Sequence, residues 1–318
     1  MSLDKHPFFN RSIETQNQSI VLSVLKDKNI NLFIKREDLI HSFVSGNKFR
    51  KLKYNVKEAL NQNKDTLLTF GGAFSNHIAA TAFAGKQAGL KTIGVIRGEE
   101  LGNDLVKTLS KNNTLSEAHN NGMQFHFVSR EKYREKSNIS FIDDLKNQFG
   151  DFYLVPEGGT NELAVKGCEE ILTESDSEFD YICVACGTGG TISGLINASN
   201  NNQTVLGFPA LKGDFLTKEI MPFVNQKENW KLITDYHFGG YAKYNSELIN
   251  FVNQFKEDTT IQLDPIYTGK MLFGIVDLIK KNYFSENSKI LAIHTGGIQG
   301  IKGFNILLAK KNQPLITM

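Results

Sequence analysis

The stretch that decides the fold is Tyr181-Ile-Cys-Val-Ala-Cys-Gly-Thr-Gly-Gly-Thr-Ile-Ser-Gly-Leu-Ile196. An apolar run ends at Cys186, a loop of glycine and threonine follows, and an amphipathic helical pattern begins at Thr191. Glycines let backbone N–H groups approach an anion, while the first turn of a helix adds unpaired N–H groups and the positive end of its dipole. This pattern predicts a strand, a phosphate-binding loop and a helix.

The loop differs from the two common nucleotide-binding loops. It has no lysine after its glycines, as a Walker-type loop requires, and its spacing fits the G-x-G-x-x-G dinucleotide fingerprint poorly. A smaller phosphorylated ligand therefore fits better. A plain strand-to-helix turn is the alternative, because glycine-rich turns also occur without a ligand.

A second segment, Ser45-Gly-Asn-Lys-Phe-Arg-Lys-Leu-Lys-Tyr54, places Lys48 at the start of a helical pattern among cationic neighbours. Crowding by like charge favours the neutral amine, which is the nucleophile that forms a Schiff base. A Schiff-base lysine together with a separate phosphate-binding loop is what pyridoxal 5′-phosphate needs. The alternative is a solvated basic helix face made of Lys48, Lys51, Lys53 and Lys57.

Short apolar runs alternate with helical patterns along the chain. Helical spacing occurs, for example, at Asn76 to Ala88 and at Leu163 to Leu172. The 318 residues, 40% of them hydrophobic, suffice for one large core or two smaller ones. The alternation predicts an α/β protein with parallel strands at Leu67 to Phe70, Thr92 to Ile96, Gln124 to Val128, Tyr153 to Val155, Tyr181 to Ala185, Val205 to Phe208 and Ile290 to His294.

Composition and charge exclude several classes of function. A net charge of +2 gives no electrostatic argument for binding nucleic acid or an anionic membrane, so a small molecule is the favoured partner. Residues 1–10 lack the apolar stretch of a secretory signal, and no run approaches the ~20 apolar residues of a membrane span. We therefore expect a cytoplasmic protein.

The three cysteines, an odd number, argue against a disulfide framework. Cys183 and Cys186 form a C-x-x-C pair, which alone would suggest redox or zinc chemistry. The sequence offers no second pair and no nearby histidine pair to complete a tetrahedral zinc site, and the pair lies in an apolar run. We predict buried structural cysteines.

Six motifs follow one another along most of the chain: Lys35-Arg-Glu-Asp-Leu39, Ser45-Gly-Asn-Lys48, Gly71-Gly72 with Ser75-Asn-His77, Cys186-Gly-Thr-Gly-Gly-Thr191, Pro265-Ile-Tyr-Thr-Gly-Lys270 and His294-Thr-Gly-Gly297. Each motif alone is weak, but the six together are specific. In this order they resemble the 1-aminocyclopropane-1-carboxylate deaminase/D-cysteine desulfhydrase family. Its members are pyridoxal-phosphate enzymes.

The resemblance implies the fold and the domains. We expect two open twisted α/β sheets, similar to the β subunit of tryptophan synthase and known as fold type II. Residues 46–156 would form a small inserted domain, and residues 1–45 and 157–318 the large cofactor-binding domain. Pyridoxal 5′-phosphate would lie between them, outside the carboxyl ends of the strands. The resemblance also implies a homodimer.

Several roles are carried over by the resemblance. Lys48 matches the lysine that forms the Schiff base with the cofactor and then moves protons at the substrate carbon. Asn76 matches the residue that hydrogen-bonds the cofactor's phenolic oxygen, and Ser75, Asn76 and His77 form the turn that receives the substrate carboxylate. The expected phosphate-binding residues are Gly187, Thr188, Gly189, Gly190 and Thr191.

Tyr267 and Tyr241 match the family's two active-site tyrosines, the first firmly and the second loosely. For Tyr241, an aromatic side chain that packs a loop is the alternative. Thr268 stands where the deaminase branch has a glutamate facing the pyridine nitrogen, and Thr295 replaces a leucine. Both threonines resemble the D-cysteine desulfhydrase branch. A hydroxyl there leaves the ring a shallower electron sink than a carboxylate does.

The expected reaction is α,β-elimination from a small D-amino acid, with D-cysteine first, to give sulfide, pyruvate and ammonia. Deamination of 1-aminocyclopropane-1-carboxylate to 2-oxobutanoate and ammonia is the alternative, and a catalytically silent protein that binds pyridoxal phosphate is a third hypothesis. Phe74 replaces the family's usual glutamine, and Ala79-Ala80 replaces a commonly basic position. The substrate is therefore less firmly predicted than the chemistry.

Overall fold

Two open β-sheets organise the residues that the structure describes, which are 13–41, 44, 46–225 and 227–318. The motif residue Ser45 and residues 1–10, considered above for a signal, lie outside them. In this computed structural model the strands are, in chain order, β1 (Asn17–Ile20), β2 (Asn31–Lys35), β3 (Thr66–Gly72), β4 (Lys91–Arg97), β5 (Met123–Val128), β6 (Tyr153–Val155), β7 (Tyr181–Cys186), β8 (Thr204–Pro209), β9 (Trp230–Leu232) and β10 (Lys289–Ile293).

Helices alternate with these strands. The helices predicted at Asn76 to Ala88 and Leu163 to Leu172 are confirmed as α3 and α8. None of the described helices is long and apolar enough to cross a membrane. In chain order the helices are α1 (Ser23–Asp27), α2 (Asn47–Asn61), α3 (Asn76–Ala88), α4 (Leu105–Lys111), α5 (Asn113–Asn120), α6 (Arg130–Arg134), α7 (Ile139–Phe149), α8 (Glu162–Glu169), α9 (Gly190–Ala198), α10 (Phe215–Ile220), α11 (Ser246–Thr259), α12 (Thr268–Lys280) and α13 (Ile301–Lys310).

The larger sheet has the strand order β1-β2-β10-β7-β8-β9, and the smaller one has the order β5-β4-β3-β6. All neighbouring strands are parallel except β1 and β2. The predicted parallel α/β fold and its seven strands are confirmed. The prediction missed β1 and β9, which are short edge strands, and β2, which mixes charged with apolar residues.

Strand β7 lies inside the larger sheet and is buried on both faces. Cys183 and Ala185 pack with residues of α11, α12 and α13. On the other face, Ile182, Val184 and Cys186 pack with residues of α9 and α10. Because alternate residues point to opposite sides, only an unbroken apolar run satisfies both faces. The predicted burial of the cysteines is confirmed, and it raises the pKa of the Cys186 thiol to about 12.

The smaller sheet is also covered on both faces. Leu67 packs against α2 and α3, while Leu68 and Phe70 pack against α7. The four strands lie within the range predicted for the small domain. Helix α2 also packs closely on α8, since a Cβ on Gly167 would lie 2.0 Å from the Arg50 carbonyl oxygen. The bounds of the two domains stay a prediction.

Loops that follow three strands meet at one place. The loop after β10 touches the start of α2, since a Cβ on Gly46 would lie 2.0 Å from the Thr295 carbonyl oxygen. The same loop approaches the start of α3, because a Cβ on Gly297 would lie 3.5 Å from the side-chain nitrogen of Asn76. Open α/β sheets bind ligands at the carboxyl ends of their strands. This meeting point is therefore the candidate site.

We expect Gly46→Ala to destabilise the fold far more than Gly89→Ala. Both glycines have a positive φ, 62° and 70°. The left-handed conformation of Gly89 costs an alanine ~1–2 kcal/mol, whereas Gly46, with a ψ of −145°, lies near a region that is essentially restricted to glycine. A Cβ on Gly89 would meet nothing within 4 Å, whereas a Cβ on Gly46 would overlap the backbone of Thr295. Urea unfolding should show a loss of ~1–2 kcal/mol for Gly89→Ala and about 3 kcal/mol or more for Gly46→Ala. Equal losses would contradict the close approach.

Candidate active site

The loop between β7 and α9 leaves a space bordered by polar groups. Gly189 has a φ of 84°, which favours glycine, and it immediately precedes α9. A Cβ on Gly190 would lie 2.9 Å from the Thr160 hydroxyl and 3.1 Å from Lys51 Nζ. The glycines therefore keep the space open. The first N–H groups of a helix have no partner within the helix, and beside an ammonium group they suit a phosphate.

The sequence-based prediction gave Lys51 no contact with a phosphate, yet its ammonium group borders this space. Nζ donates to the Gly158 carbonyl at 3.1 Å and to the hydroxyls of Thr160 and Thr188 at 2.9 and 3.3 Å. Because Lys51 is only 2% exposed, the alternative of a solvated basic face fails for this residue. Its spacing from Lys48 could have revealed it, since residues i and i+3 of a helix lie on the same side.

Lys48 lies one turn earlier on α2, and its amine is less basic than usual. The pKa of Lys48 falls to about 7, first because the amine is buried and second because the charge of Lys51 opposes protonation. The predicted effect of a neighbouring positive charge is present, but desolvation is the larger cause. A large fraction of the amine is neutral near pH 7, which is the form that attacks a carbonyl carbon.

The motif at residues 35–39 fixes the start of α2. Glu37 is fully buried and accepts hydrogen bonds from Arg50 at 2.9 and 3.0 Å. The Glu37 carbonyl also accepts the Gly46 N–H at 2.8 Å. Removing one partner of a buried ion pair costs ~3–5 kcal/mol. This pair therefore holds the first turn of α2, and with it Lys48, in place.

The turn before α3 brings Ser75 and Asn76 to the same region. Ser75 is the last residue before the helix, and its hydroxyl makes no hydrogen bond to the first helical turn. The side chain of Asn76 reaches the loop after β10, as its approach to Gly297 shows. The two side chains, together with the N–H groups at the start of α3, present donors to one region.

The structure packs the imidazole of His77 against β3. The residue is 1% exposed, and Nε2 lies 2.8 Å from the Thr69 hydroxyl. That hydroxyl donates to the Val155 carbonyl, so the geometry assigns the ring proton to Nε2. Burial, and then the charges of Lys48 and Lys51, hold the pKa of His77 well below its usual range. The imidazole is therefore not available to a substrate carboxylate, and of His77 only the backbone N–H could make the predicted contact.

Tyr267 and Tyr241 lie together beside the glycine loop. Their ring centroids are 6.2 Å apart, and a Cβ on Gly187 would lie 3.3 Å from the Tyr267 ring. The loosely matched Tyr241 is thus brought to the site, although it is 45% exposed. Burial first, and then the charges of Tyr241 and Asp264, raise the pKa of Tyr267 well above its usual range. The Tyr267 hydroxyl therefore keeps its proton.

Lys270, which the prediction left without a role, holds the loop that carries Tyr241. Its Nζ donates to the carbonyls of His237 and Gly240, each at 2.8 Å. The residue is buried, and burial lowers the pKa of its amine to about 8. A lysine in the first turn of the apolar helix α12 is the pattern that could have revealed it.

The Thr268 hydroxyl is hydrogen-bonded within its own turn. Its hydroxyl donates to Asp264 Oδ2 at 2.6 Å and accepts the Asp264 N–H at 3.0 Å. The same carboxylate accepts the N–H groups of Ile266, Tyr267 and Thr268. Because the single hydroxyl proton is used here, Thr268 shapes the turn that presents Tyr267. Thr295, in the loop after β10, is 9% exposed and packs its backbone against the start of α2.

These residues fit pyridoxal 5′-phosphate. The cofactor needs an anion site for its phosphate and a neutral amine for its aldehyde, and the glycine loop with Lys51 and the amine of Lys48 supply them. Two open α/β sheets with this pair of groups define an enzyme that uses this cofactor. The sequence family described as pyridoxal-phosphate dependent enzyme matches residues 17–296, and the chain belongs to that family.

Within the family, the chain is similar to deaminases of 1-aminocyclopropane-1-carboxylate. It is 34% identical over 297 residues to a candidate enzyme of this kind from Pyrococcus horikoshii, covering 87% of this chain and 88% of that protein. It is 33% identical over 304 residues to the mitochondrial bifunctional D-cysteine desulfhydrase/1-aminocyclopropane-1-carboxylate deaminase of Arabidopsis thaliana, covering 85% and 73%. The crystal structure of a deaminase homologue matches with a TM-score of 0.80, 31% identity and 94% coverage of both chains. The predicted family and the fold type II class are confirmed.

We expect Lys51→Met to raise the pKa of Lys48, because the variant loses the positive charge that opposes protonation. In cofactor-free protein, the Lys48 amine should then become reactive at a higher pH than the wild-type midpoint of about 7. Competitive acylation of lysines across pH, followed by mass spectrometry, measures this midpoint. Lys53→Met, which removes a lysine paired with Glu170, is the control and should not shift it. An unshifted or lowered midpoint in Lys51→Met would refute the coupling.

Proposed function

We propose that the protein eliminates a β leaving group from a small amino acid, with D-cysteine as the first candidate substrate and sulfide, pyruvate and ammonia as products. The observation that carries the proposal is the amine of Lys48, with a pKa of about 7, near a loop that suits a phosphate. A neutral amine accepts a proton from carbon, and a thiolate leaves readily. The bifunctional relative from Arabidopsis thaliana, whose name joins both activities, supports this choice.

Binding falls to three groups of residues in this proposal. Residues 187–191 and Lys51 bind the cofactor phosphate, and Asn76 hydrogen-bonds its phenolic oxygen. The Ser75 hydroxyl and the N–H groups at the start of α3 bind the substrate carboxylate. Once bound, the cofactor supplies an electron sink for the charge that develops at the substrate α-carbon.

Lys48 moves the proton in this proposal, and the two tyrosines assist the leaving group. Lys48 removes the α-proton, and Ser75 assists at the substrate. Tyr267 keeps its proton because its pKa is raised, so its hydroxyl is suited to stabilise the departing thiolate by donating a hydrogen bond. Tyr241 lies against Tyr267 and positions its hydroxyl.

Ring opening of 1-aminocyclopropane-1-carboxylate to 2-oxobutanoate and ammonia is the second candidate, since several relatives carry that name. Opening a ring without an α-hydrogen needs a deep electron sink, which a carboxylate at the pyridine nitrogen favours. In this chain the Thr268 hydroxyl donates its hydrogen bond to Asp264. We therefore assign the contact with the pyridine nitrogen to Thr295. A hydroxyl there favours thiolate elimination.

Product analysis tests the two reactions. With D-cysteine we expect sulfide and pyruvate in equal amounts, and with 1-aminocyclopropane-1-carboxylate no 2-oxobutanoate. Lys48→Ala should lose at least ~10³-fold in activity together with covalent cofactor attachment, whereas Lys57→Ala on the same helix should keep both. No sulfide and no pyruvate from D-cysteine would sink the favoured reaction. Production of 2-oxobutanoate would promote the second, and attachment without turnover would favour a silent cofactor-binding protein.

We expect Tyr267→Phe to lower kcat for D-cysteine by about 10²–10³-fold, because the variant loses the hydroxyl that assists the leaving group. Covalent cofactor attachment, measured by mass spectrometry after borohydride reduction, should persist. Tyr236→Phe is the matched control, since the Tyr236 hydroxyl donates to Asp277. An unchanged kcat in Tyr267→Phe would show that another group assists the leaving group.

A cytoplasmic location and a homodimer complete the proposal. The location is supported by the composition and the dimer by the resemblance to the family. Both stay predictions.

A further inference from the structure

A cleft beside the candidate active site carries an excess of positive charge. Its volume is about 830 Å³, and it opens at the carboxyl ends of β3 and β4, next to the turn before α3. Three carboxylates line the cleft against six basic side chains, an excess of three positive charges. The basic residues are Arg97, Lys107, Lys111, Arg130, Arg134 and Lys136.

Arg97 lines this cleft and is the exposed last residue of β4. Its guanidinium carbon is 5.7 Å from the ring centroid of Tyr133, which is buried. A terminal nitrogen of Arg97 is 3.6 Å from the position of a Cβ on Gly72. Gly72 ends β3, shortly before Ser75. An aromatic face therefore anchors the guanidinium beside the turn that we assign to the substrate carboxylate.

The three carboxylates of the cleft already have partners, and Asp104 accepts the backbone N–H of Lys107 at 2.9 Å. Glu157 accepts a hydrogen bond from Tyr133 at 2.7 Å and pairs with Lys136 at 3.3 Å. Glu100 pairs with Arg130. In the part of the chain that the structure describes, no carboxylate pairs with Arg97. Its positive charge is therefore left for a ligand.

The cleft and the Ser75 turn adjoin each other, because Gly72, Ala73 and Phe74 line the cleft and the Gly72 carbonyl accepts the Ser75 N–H at 3.0 Å. The charges of Arg97 and Glu157 both act on the Tyr241 hydroxyl, although burial is the largest influence on its pKa. Phe74, which is 59% exposed, lines the cleft and immediately precedes Ser75. A ligand longer than cysteine that binds at the Ser75 turn would therefore reach the cleft.

We propose that the cleft binds a second negatively charged group of the substrate, so that the enzyme acts on an amino acid whose β-substituent ends in an anion. This inference rests on the proposed function, because the α-carboxylate is placed at the Ser75 turn. Lys48 takes the α-proton, and the bond from the β-carbon to sulfur or oxygen breaks with its electron pair leaving on that atom. The leaving atom gains a proton, and the remaining fragment takes up water to give pyruvate and ammonium.

Two substrates of equal size and different charge test the proposal. They are S-carboxymethyl-D-cysteine, which is anionic, and S-carbamoylmethyl-D-cysteine, its neutral amide, and both enantiomers of each are assayed. In the holoenzyme, kcat/KM should favour the anion about tenfold or more, and the preference should fall with added salt. O-phospho-D-serine, assayed in parallel, shows whether a phosphate serves better than a carboxylate.

Arg97→Gln should bring the ratio of the two kcat/KM values close to one. Lys91→Gln removes an exposed lysine from the opposite end of the same strand, and it should keep the wild-type ratio. A wild-type ratio near one, or a ratio that Arg97→Gln leaves unchanged, would overturn the proposal. Turnover of D-cysteine in that same experiment would leave the proposed elimination standing.

A binding measurement with compounds that cannot react tests the cleft independently of the elimination. D-2-aminoadipate and its neutral 6-amide have no β leaving group, so calorimetry with the holoenzyme reports affinity alone. If the anion binds about tenfold more tightly and Arg97→Gln loses this difference, the proposed role of the cleft is supported. This holds even where no substrate is turned over, a result that would contradict only the proposed elimination. Equal affinities would overturn the cleft.

Discussion

The candidate site depends on the hydrogen bonds of the buried Lys51 ammonium group. It donates to oxygens of two separate loops, through Gly158 and Thr160 after β6 and through Thr188 after β7. Burial lowers the pKa of Lys51, and its partners are carbonyl and hydroxyl oxygens. Burying a charge without a counter-ion is costly. A phosphate would offset that cost, and the same positive charge keeps the neighbouring Lys48 amine less basic. One residue therefore prepares both the anion site and the nucleophile.

Much of this arrangement could be predicted because its causes are local in sequence. The apolar run of β7 follows from burial on both faces, and the glycine loop follows from the space a phosphate needs. The neutral amine of Lys48 could be predicted from the lysine three positions later. The larger cause of its lowered pKa, burial, depends on residues far along the chain and has no trace in the local sequence.

The partners of the remaining side chains depend on which of several available groups each one hydrogen-bonds in the folded chain. The sequence predicts His77 in the turn assigned to the substrate, but only the fold shows that its imidazole lies 2.8 Å from the Thr69 hydroxyl of β3. Thr268 is in the predicted motif, yet its hydroxyl donates a hydrogen bond to Asp264, four residues earlier. Lys270 binds carbonyl groups about thirty residues earlier in the chain. Such competition is decided by three-dimensional distance, which a one-dimensional pattern does not contain.

Helix α2 is tied to the larger sheet by two backbone contacts, at Gly46 with the loop after β10 and at Gly167 of α8 with the carbonyl of Arg50. The turn at Ser75 instead follows a strand of the smaller sheet. Because α2 also packs against Leu67 of β3, the helix that carries the lysine assigned to the cofactor contacts both sheets, whereas the turn assigned to the substrate belongs to the smaller sheet. A movement of the Ser75 turn relative to Lys48 would therefore have to disturb either the packing of α2 on the smaller sheet or its backbone contacts beside the larger one.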